Sequence, residues 1–510
     1  MLSYDELTPP EREVWHAFPS GRTVNLHAGP PGDDPVADGA RWGPERTVRA
    51  AVLAALLLGA HSGQPGTVPA LRLAGARISG PLDLAGAQLA YALWLAECWF
   101  EESVDLSGAS AQSIAITGSA VPGVEAGLIR VDGRLDLGRS RIGTGPATPF
   151  HRRVTALSLI NAHVSGAVNL KGAELTAAGE WAVSAGGLVA EGGLYCVDGF
   201  VAHGEVRLMG AQLPGGLHLR GALLDRPGPR GVVLALDNAV TSTLDCSGGF
   251  VARGTVRLRG ARVADDLTFA GAVLDGPADG AGPSLSAPLL TAVDFDLTLA
   301  RPPSGAVDLR GAQVAYLHDN EHSWPAAVEL DGFVYGAIRA DRDRNSVAER
   351  VAWLRRGPGY HPQPYEQLAS WYRKAGHDDE ARRVLLAKQR HRRRTLRPAG
   401  RAWGHLLDAT VGYGYRPWLA GLWLLALTAL GTLSFRTGTP VPVKAGEGVP
   451  FQPLVYTLDL LVPIGGLGQR TAWYWPDGDG RQWLAHLLIA LGWVLTTSVV
   501  AGVTRALQKN

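Results

Sequence analysis

Leu71-x-Leu73-x-Gly75-Ala76-x-Ile78-x-Gly80, followed at once by Leu82-x-Leu84-x-Gly86-Ala87-x-Leu89, decides the fold of this chain. The Gly-Ala step recurs 11 residues on, and the same step links Gly210-Ala211 to Gly221-Ala222 and Gly260-Ala261 to Gly271-Ala272. Apolar residues alternating over three positions describe a short strand with one buried face, and the glycine supplies the bend after it. Two such half-units make 22 residues, the distance from Gly86 to Gly108 and about one coil. A lone coil exposes its edges and half its core, so it folds only by stacking on its neighbours. The pattern predicts a mainly β protein. Its body is a right-handed parallel β-helix (solenoid) over residues 67–340, with inner ladders of Leu, Val, Ile and Ala in roughly a dozen coils. The inward spacings do not hold at five, so a pentapeptide solenoid is a near neighbour rather than the first reading.

A longer echo joins Gly199-Phe200-Val201-Ala202 to Gly249-Phe250-Val251-Ala252, with Leu330-x-Gly332-Phe333-Val334 as the start of a third copy. The Pro- and Gly-rich stretches between copies read as loops protruding from one edge. The open ends of such a stack need covers. Within an N-terminal region of residues 1–66, residues 44–60 read as an amphipathic capping helix. Residues 341–400 read as a helical C-terminal cap and basic linker, with helical patterns at 345–355 and 365–391.

Of 510 residues 46% are hydrophobic, and the net charge of +1 identifies no partner. The charge distribution is more informative. Nine Lys or Arg and no acid fall between Arg382 and Arg401, including Arg392, Arg393 and Arg394. Beyond them lies a membrane domain over 401–510. Residues 417–435 carry no charge and residues 483–504 only His486, each long enough to cross a ~30 Å hydrocarbon core. These two runs predict a C-terminal α-helical transmembrane hairpin. Trp418 and Trp483 sit at its ends as interfacial aromatics do, and basic residues on both outer flanks put both termini inside. Met1 to Pro10 lacks the features of a signal peptide. The expected location is the plasma membrane, multi-pass, with the solenoid and the C-terminus in the cytoplasm. The basic run is read as meeting anionic head groups rather than nucleic acid.

Thr410-Val411-Gly412-Tyr413-Gly414 spells a potassium-filter sequence, but it precedes the first span instead of lying between spans. It reads as an interfacial elbow, with Tyr413, Tyr415 and Trp418 at head-group depth and Arg416 on phosphates. Residues 453–468 are apolar but too short to cross, so they are re-entrant or interfacial. There Asp459, Ile464, Gly465, Gly466, Leu467 and Gly468 occupy the place of a pore loop, with a non-conducting return as the plainer alternative.

No nucleotide-binding glycine motif occurs in its required setting. His318-Asp319-Asn320-Glu321-His322 holds ligand-type residues but leaves a strand, so it reads as a polar loop. Asp83, Asp136, Asp245 and Asp308 alternate with inward leucines and so point outward into solvent. Cys98, Cys196 and Cys246 recur at one repeat slot and read as small core residues. No catalytic, cofactor-binding or metal residue is assigned.

Leu7-Thr8-x-x-Glu11-Arg12-Glu13-x-Trp15, Trp42-Gly43-x-Glu45-Arg46-Thr47-Val48-Arg49-Ala50, the Leu-x-Leu-x-Gly-Ala coils and Gly412-Tyr413-Gly414-Tyr415-Arg416-Pro417-Trp418 together resemble an actinobacterial family labelled membrane-associated oxidoreductase. The resemblance implies electron transfer, but supplies no catalytic residue. The leading expectation is a membrane-anchored cytosolic solenoid that binds, scaffolds or senses, with an unknown protein partner on the solenoid and self-association open. The alternatives are a two-span pore and the redox enzyme of the family label.

Overall fold

The structure, a computed structural model, describes residues 4–29, 35–61, 63, 66–143, 155–278, 280, 282–340, 346–416, 418–444, 449–462 and 465–507. The chain divides into two compact units, Met1–Gln367 and Leu368–Asn510.

The first unit is built on two parallel sheets of 21 and 19 strands, and the chain alternates between them. One turn shows the plan. Gln88–Leu89 and Ala92–Ala96 belong to the larger sheet, and Trp99–Phe100 and Val104–Asp105 to the smaller. Ser110 then pairs with Gln88, closing a turn of four short strands. Strands this short have no stability alone; each backbone ladder is completed only by the turns on either side.

The register makes continuous columns. Leu71, Leu93, Ile114, Leu135, Val168, Leu194, Leu217, Leu244, Leu267, Phe295, Leu317 and Ile338 are successive partners, and all are buried. On the smaller sheet the columns alternate in size. Leu175, Ala202, Leu224, Ala252 and Leu274 are successive partners, while Ala173, Phe200, Ala222, Phe250 and Ala272 sit two residues before them. A large residue in one column meets a small one in the other on every rung, and all ten side chains are buried. This is how a core reaches crystal-like density without strain. It also explains the longer echo in the sequence: Phe200 and Phe250 are two turns apart because the large–small pattern repeats every second rung.

The corners are left-handed. Gly86 turns at φ 67, which costs glycine little. Leu128 and Leu289 take the same corner at φ 60, at roughly 1–2 kcal/mol each. The outward aspartates are not merely solvated, which corrects the sequence reading. The carboxylate Oδ1 of Asp83, Asp136, Asp245 and Asp308 accepts from the backbone N–H two residues on, at 3.0, 3.0, 3.0 and 3.1 Å. Asp308 is itself buried, and Arg310 binds it with both Nε and an amino group. These side chains satisfy a donor that the turn leaves without a ladder partner.

The sheets begin earlier than the Leu-rich coils. Val24–Asn25 pairs with Leu73 and Ala74, and Thr47–Arg49 with Arg77 to Ser79. The expected helix at 44–60 is therefore shorter. Helix α1 spans Pro9–Ala17 and α2 spans Ala50–Leu57. Helix α2 is buried along Ala50, Val52, Leu53, Leu56 and Leu57, which is more apolar than an amphipathic cover. Glu11 of α1 grips Arg49 through two 2.7 Å bonds and accepts from the Arg49 backbone N–H at 3.0 Å.

At the other end α3 (Val347–Leu354) is fixed by a buried ion pair. Arg350 reaches both oxygens of Asp319 at 2.6 and 2.7 Å, and Trp324 Nε1 donates to the same carboxylate at 2.9 Å. Helix α4 (Gln363–Lys374) follows, and the boundary between the units falls inside it. The second unit continues with α5 (Asp378–Thr395), α6 (Pro398–Val411), α7 (Trp418–Arg436), α8 (Pro453–Leu461), α9 (Gln469–Ala472) and α10 (Gly480–Leu507).

Replacing Phe250 with Ala should cost about 3–5 kcal/mol, because the flanking alanines leave nothing to fill the void. Urea unfolding of the full chain in mild detergent, followed by the β-sheet circular dichroism signal, measures this.

Candidate membrane interface and return loop

The basic residues lie on a helical hairpin. Helix α5 carries acids in its first turn and Arg392, Arg393 and Arg394 in its last, as the helix dipole favours. Arg392 and Arg394 are exposed. Arg393 departs from the expected lipid contact, because it turns inward to Asp408 at 3.0 Å and donates to the Gly404 carbonyl at 3.3 Å. Arg390 joins it with a 3.0 Å bond from Nε to the same carboxylate. Burial acts to raise the pKa of Asp408, but the hydrogen bonds and charges of Arg390 and Arg393 outweigh it and hold the carboxyl below its usual range. Two of the nine cations therefore lock α5 to α6.

Helix α6 crosses the expected boundary at residue 400 between a basic linker and a membrane domain, and no helix is expected there from the sequence. It starts with Pro398 and exposes Trp403 and Leu406. The signal was present as large apolar residues one turn apart beside Arg401 and His405. The helix ends at Gly412 in the left-handed region, and Tyr413 follows at φ 54. The filter-like Thr410 to Gly414 sequence is thus a helix terminus and a tight turn. Tyr413 is half-buried, Tyr415 is half-buried, and Arg416 is exposed. Trp423 ties the turn back by donating to the Ala409 carbonyl at 3.0 Å.

Helix α7 begins at Trp418 and has 19 residues. Among the described residues it is the one helix long and apolar enough to cross a membrane. Trp418, Leu422, Leu425 and Leu433 are each more than half exposed. An apolar surface of this kind on a helix marks a membrane or a partner, not a soluble core. Helix α10 is longer, at 28 residues, and exposes Trp483, Leu487, Trp493 and Val494.

Helix α8 packs on both. Its Tyr456, Leu460 and Leu461 join Phe435, Trp475, Ala485 and Leu488 in one cluster. Two glycines allow the approach. A Cβ on Gly431 would overlap the Thr457 side chain, and one on Gly492 the Leu461 carbonyl. Asp459, a candidate pore residue, is fully buried and serves the turn instead. It accepts from the N–H of Leu467 and of Arg470, both at 2.7 Å. Gln469 secures the far side through the Pro450 carbonyl at 2.9 Å. Gly465, Gly466, Leu467 and Gly468 are all exposed, while Ile464 lies outside the described residues.

The remaining candidates do not converge. His318 Nε2 lies 2.8 Å from Asp294, Asp319 holds Arg350, Asn320 accepts from the Ser323 N–H, and His322 is exposed. No group of three or more His, Cys, Asp or Glu suited to a metal occurs among the described residues. The three cysteines are buried and free, and burial pushes the Cys98 thiol up to about 12. Cys196 and Cys246 are separated by the rung of Leu219, because Leu194, Leu217 and Leu244 are consecutive partners. Two rungs span roughly 9–10 Å, beyond the ~7 Å that a disulfide bridges.

No protein-family model matches this chain, no curated protein matches it, and no solved structure matches it.

The Asp408 contribution has a definite pH dependence. Its folded pKa lies below the unfolded one, so the stabilisation is complete above the unfolded value and is lost as pH falls through the folded value. Asp408→Asn should cost about 1–3 kcal/mol near neutrality, and its melting temperature should approach that of the parent only as pH falls well below the ordinary Asp value of about 3.9. Gly492→Ala should push α8 off α10 and free the return loop. Faster tryptic cleavage after Arg470 is the expected readout.

Proposed function

We propose that this chain is a membrane-anchored β-solenoid that binds or scaffolds a protein partner. In this reading the stacked turns form a right-handed parallel β-helix. Helices α7 and α10 form a two-span anchor, with α8 re-entrant between them. The solenoid and the C-terminus lie on the cytoplasmic side of the plasma membrane. The observation that carries the reading is α7, a 19-residue helix whose one charge is the terminal Arg436 and whose Trp418, Leu422, Leu425 and Leu433 remain uncovered, entered from a basic hairpin. Lipid is the cover that needs nothing further, and Arg392, Arg394 and Arg416 would meet anionic head groups at its entry.

The binding role follows from shape. A rigid stack of short rungs presents long, regular outward rows. One of them runs Asp136, Asn169, Tyr195, His218 and Asp245 on consecutive rungs, with the Tyr195 and His218 rings stacked at 4.6 Å. Within that row Asn169 donates to Asp136 at 2.8 Å. These groups largely satisfy one another, so the row fits a recognition surface better than a reaction centre. All three cysteines are buried with raised pKa values, so they offer no reactive thiol to the electron transfer that the resemblance implies.

Two measurements test the reading. The full chain should remain with the membranes after an alkaline carbonate wash, and its binding to vesicles should require anionic lipid less than it requires residues 418–507. A fluorescent reporter at the C-terminus should light up inside the cell. A carbonate-soluble protein, or a reporter active only outside, would overturn it.

A further inference from the structure

We propose that α6 lies along the membrane surface as an interfacial helix, with Trp403 and Leu406 set into the acyl boundary of an anionic leaflet. The proposal deepens the membrane reading and rests on α7 as a span.

Helix α6 has two opposite faces. Gly404, Leu407 and Asp408 turn toward the rest of the unit. Asp408 holds Arg390 and Arg393, and Leu407 packs against the cluster of Ala420 and Leu495. Gly404 is buried, and a Cβ there would overlap the Arg393 side chain and the Tyr413 hydroxyl, so this face is closed. At 3.6 residues per turn, Ala399, Ala402, Leu406 and Ala409 fall on the other face, with Trp403 beside them. All five are exposed, Trp403 at 59% and Leu406 at 51%. No charged residue interrupts the stripe.

The surrounding charge selects what covers it. From Ala381 to Gly446 the only acid is Asp408, and it is already paired. Arg392, Arg394, Arg397, Arg401 and Arg416 are all exposed, and among the described residues none of them meets a carboxylate. A protein covering this surface would need an apolar groove ringed by acids. An anionic leaflet combines both properties, acyl chains below and negative head groups above.

Depth and tilt agree with that cover. Trp423 donates to the Ala409 carbonyl at 3.0 Å and lies five residues past Trp418, roughly 8 Å along α7. An interfacial helix sinks its apolar face by about 5–10 Å. Gly412 and Tyr413, both at φ 54, break the chain between α6 and α7, so α6 need not follow the direction of the span. Arg397 and Arg401 stand at one end of α6 and Arg416 beyond the other. An upright helix would carry one of these sets into hydrocarbon, whereas a flat one leaves both at the head groups.

The test uses the full chain reconstituted in vesicles, where the buried Cys98, Cys196 and Cys246 give a low background for thiol labelling. An environment-sensitive NBD label on Leu406→Cys should emit to the blue of the same label on Arg383→Cys, an exposed position of α5. A lipid nitroxide near the head group should quench it more than one near the chain end. Ala402→Cys, one turn earlier on the stripe, should behave alike. Adding phosphatidylglycerol to phosphatidylcholine vesicles should raise the quenching roughly twofold. Suppose the protein resists carbonate extraction, but both stripe labels emit as in water, or shift to the blue without lipid quenching because protein covers them, or are quenched equally without phosphatidylglycerol. Any of these overturns the interfacial helix while the span stands. If carbonate releases the protein, both fall.

Discussion

Every other feature of the first unit depends on the hydrogen bonding of one turn to the next. Most strands have two to five residues and no independent stability, and a single turn cannot bury its own apolar face. Pairing in register solves both problems together. The columns from Leu71 to Ile338 and from Leu175 to Leu274 are the result, because a shift of one residue would turn every inward side chain to water. The ends of the stack are the exception, and the chain treats them separately. Helix α1 and the Glu11–Arg49 clamp secure one end. The Asp319–Arg350 pair with Trp324 secures the other.

The second unit leaves several large apolar side chains uncovered, among them Trp418, Leu425 and Trp483. It also buries a carboxylate, Asp459. A carboxylate placed in a pore-like segment is readily taken for a group that meets an ion. Here its two oxygens are occupied by two backbone donors, and its effect is to hold a turn closed. Arg393 offers the same lesson. A cation in a basic run belongs to the fold when an acid such as Asp408 lies within reach.

Much of the architecture is legible in the residues because the repeat is strict where glycine marks the corner. It fades where the corner is occupied by Glu97, Leu128, Arg139 or Leu289, all of which still take positive φ. The stacked neighbours force those positions, and no local propensity reports them. The Asx-type bonds of Asp83, Asp136 and Asp245 were visible as a recurring Asp before the turn. Alternation alone assigned them to solvent, since it gives direction but not hydrogen-bond partners. The early strand at Thr47–Arg49 was hidden because it borders an apolar helix.

The sequence by itself determined that the chain stacks, how long each turn is, and where the apolar helices lie, because periodicity and hydropathy are local properties. Only the tertiary structure decided which charges are spent on the fold, why Phe alternates with Ala across rungs, and that Gly431 and Gly492 admit α8 between two longer helices. Those facts concern atoms brought together from distant parts of the chain, and no pattern along it records their distances.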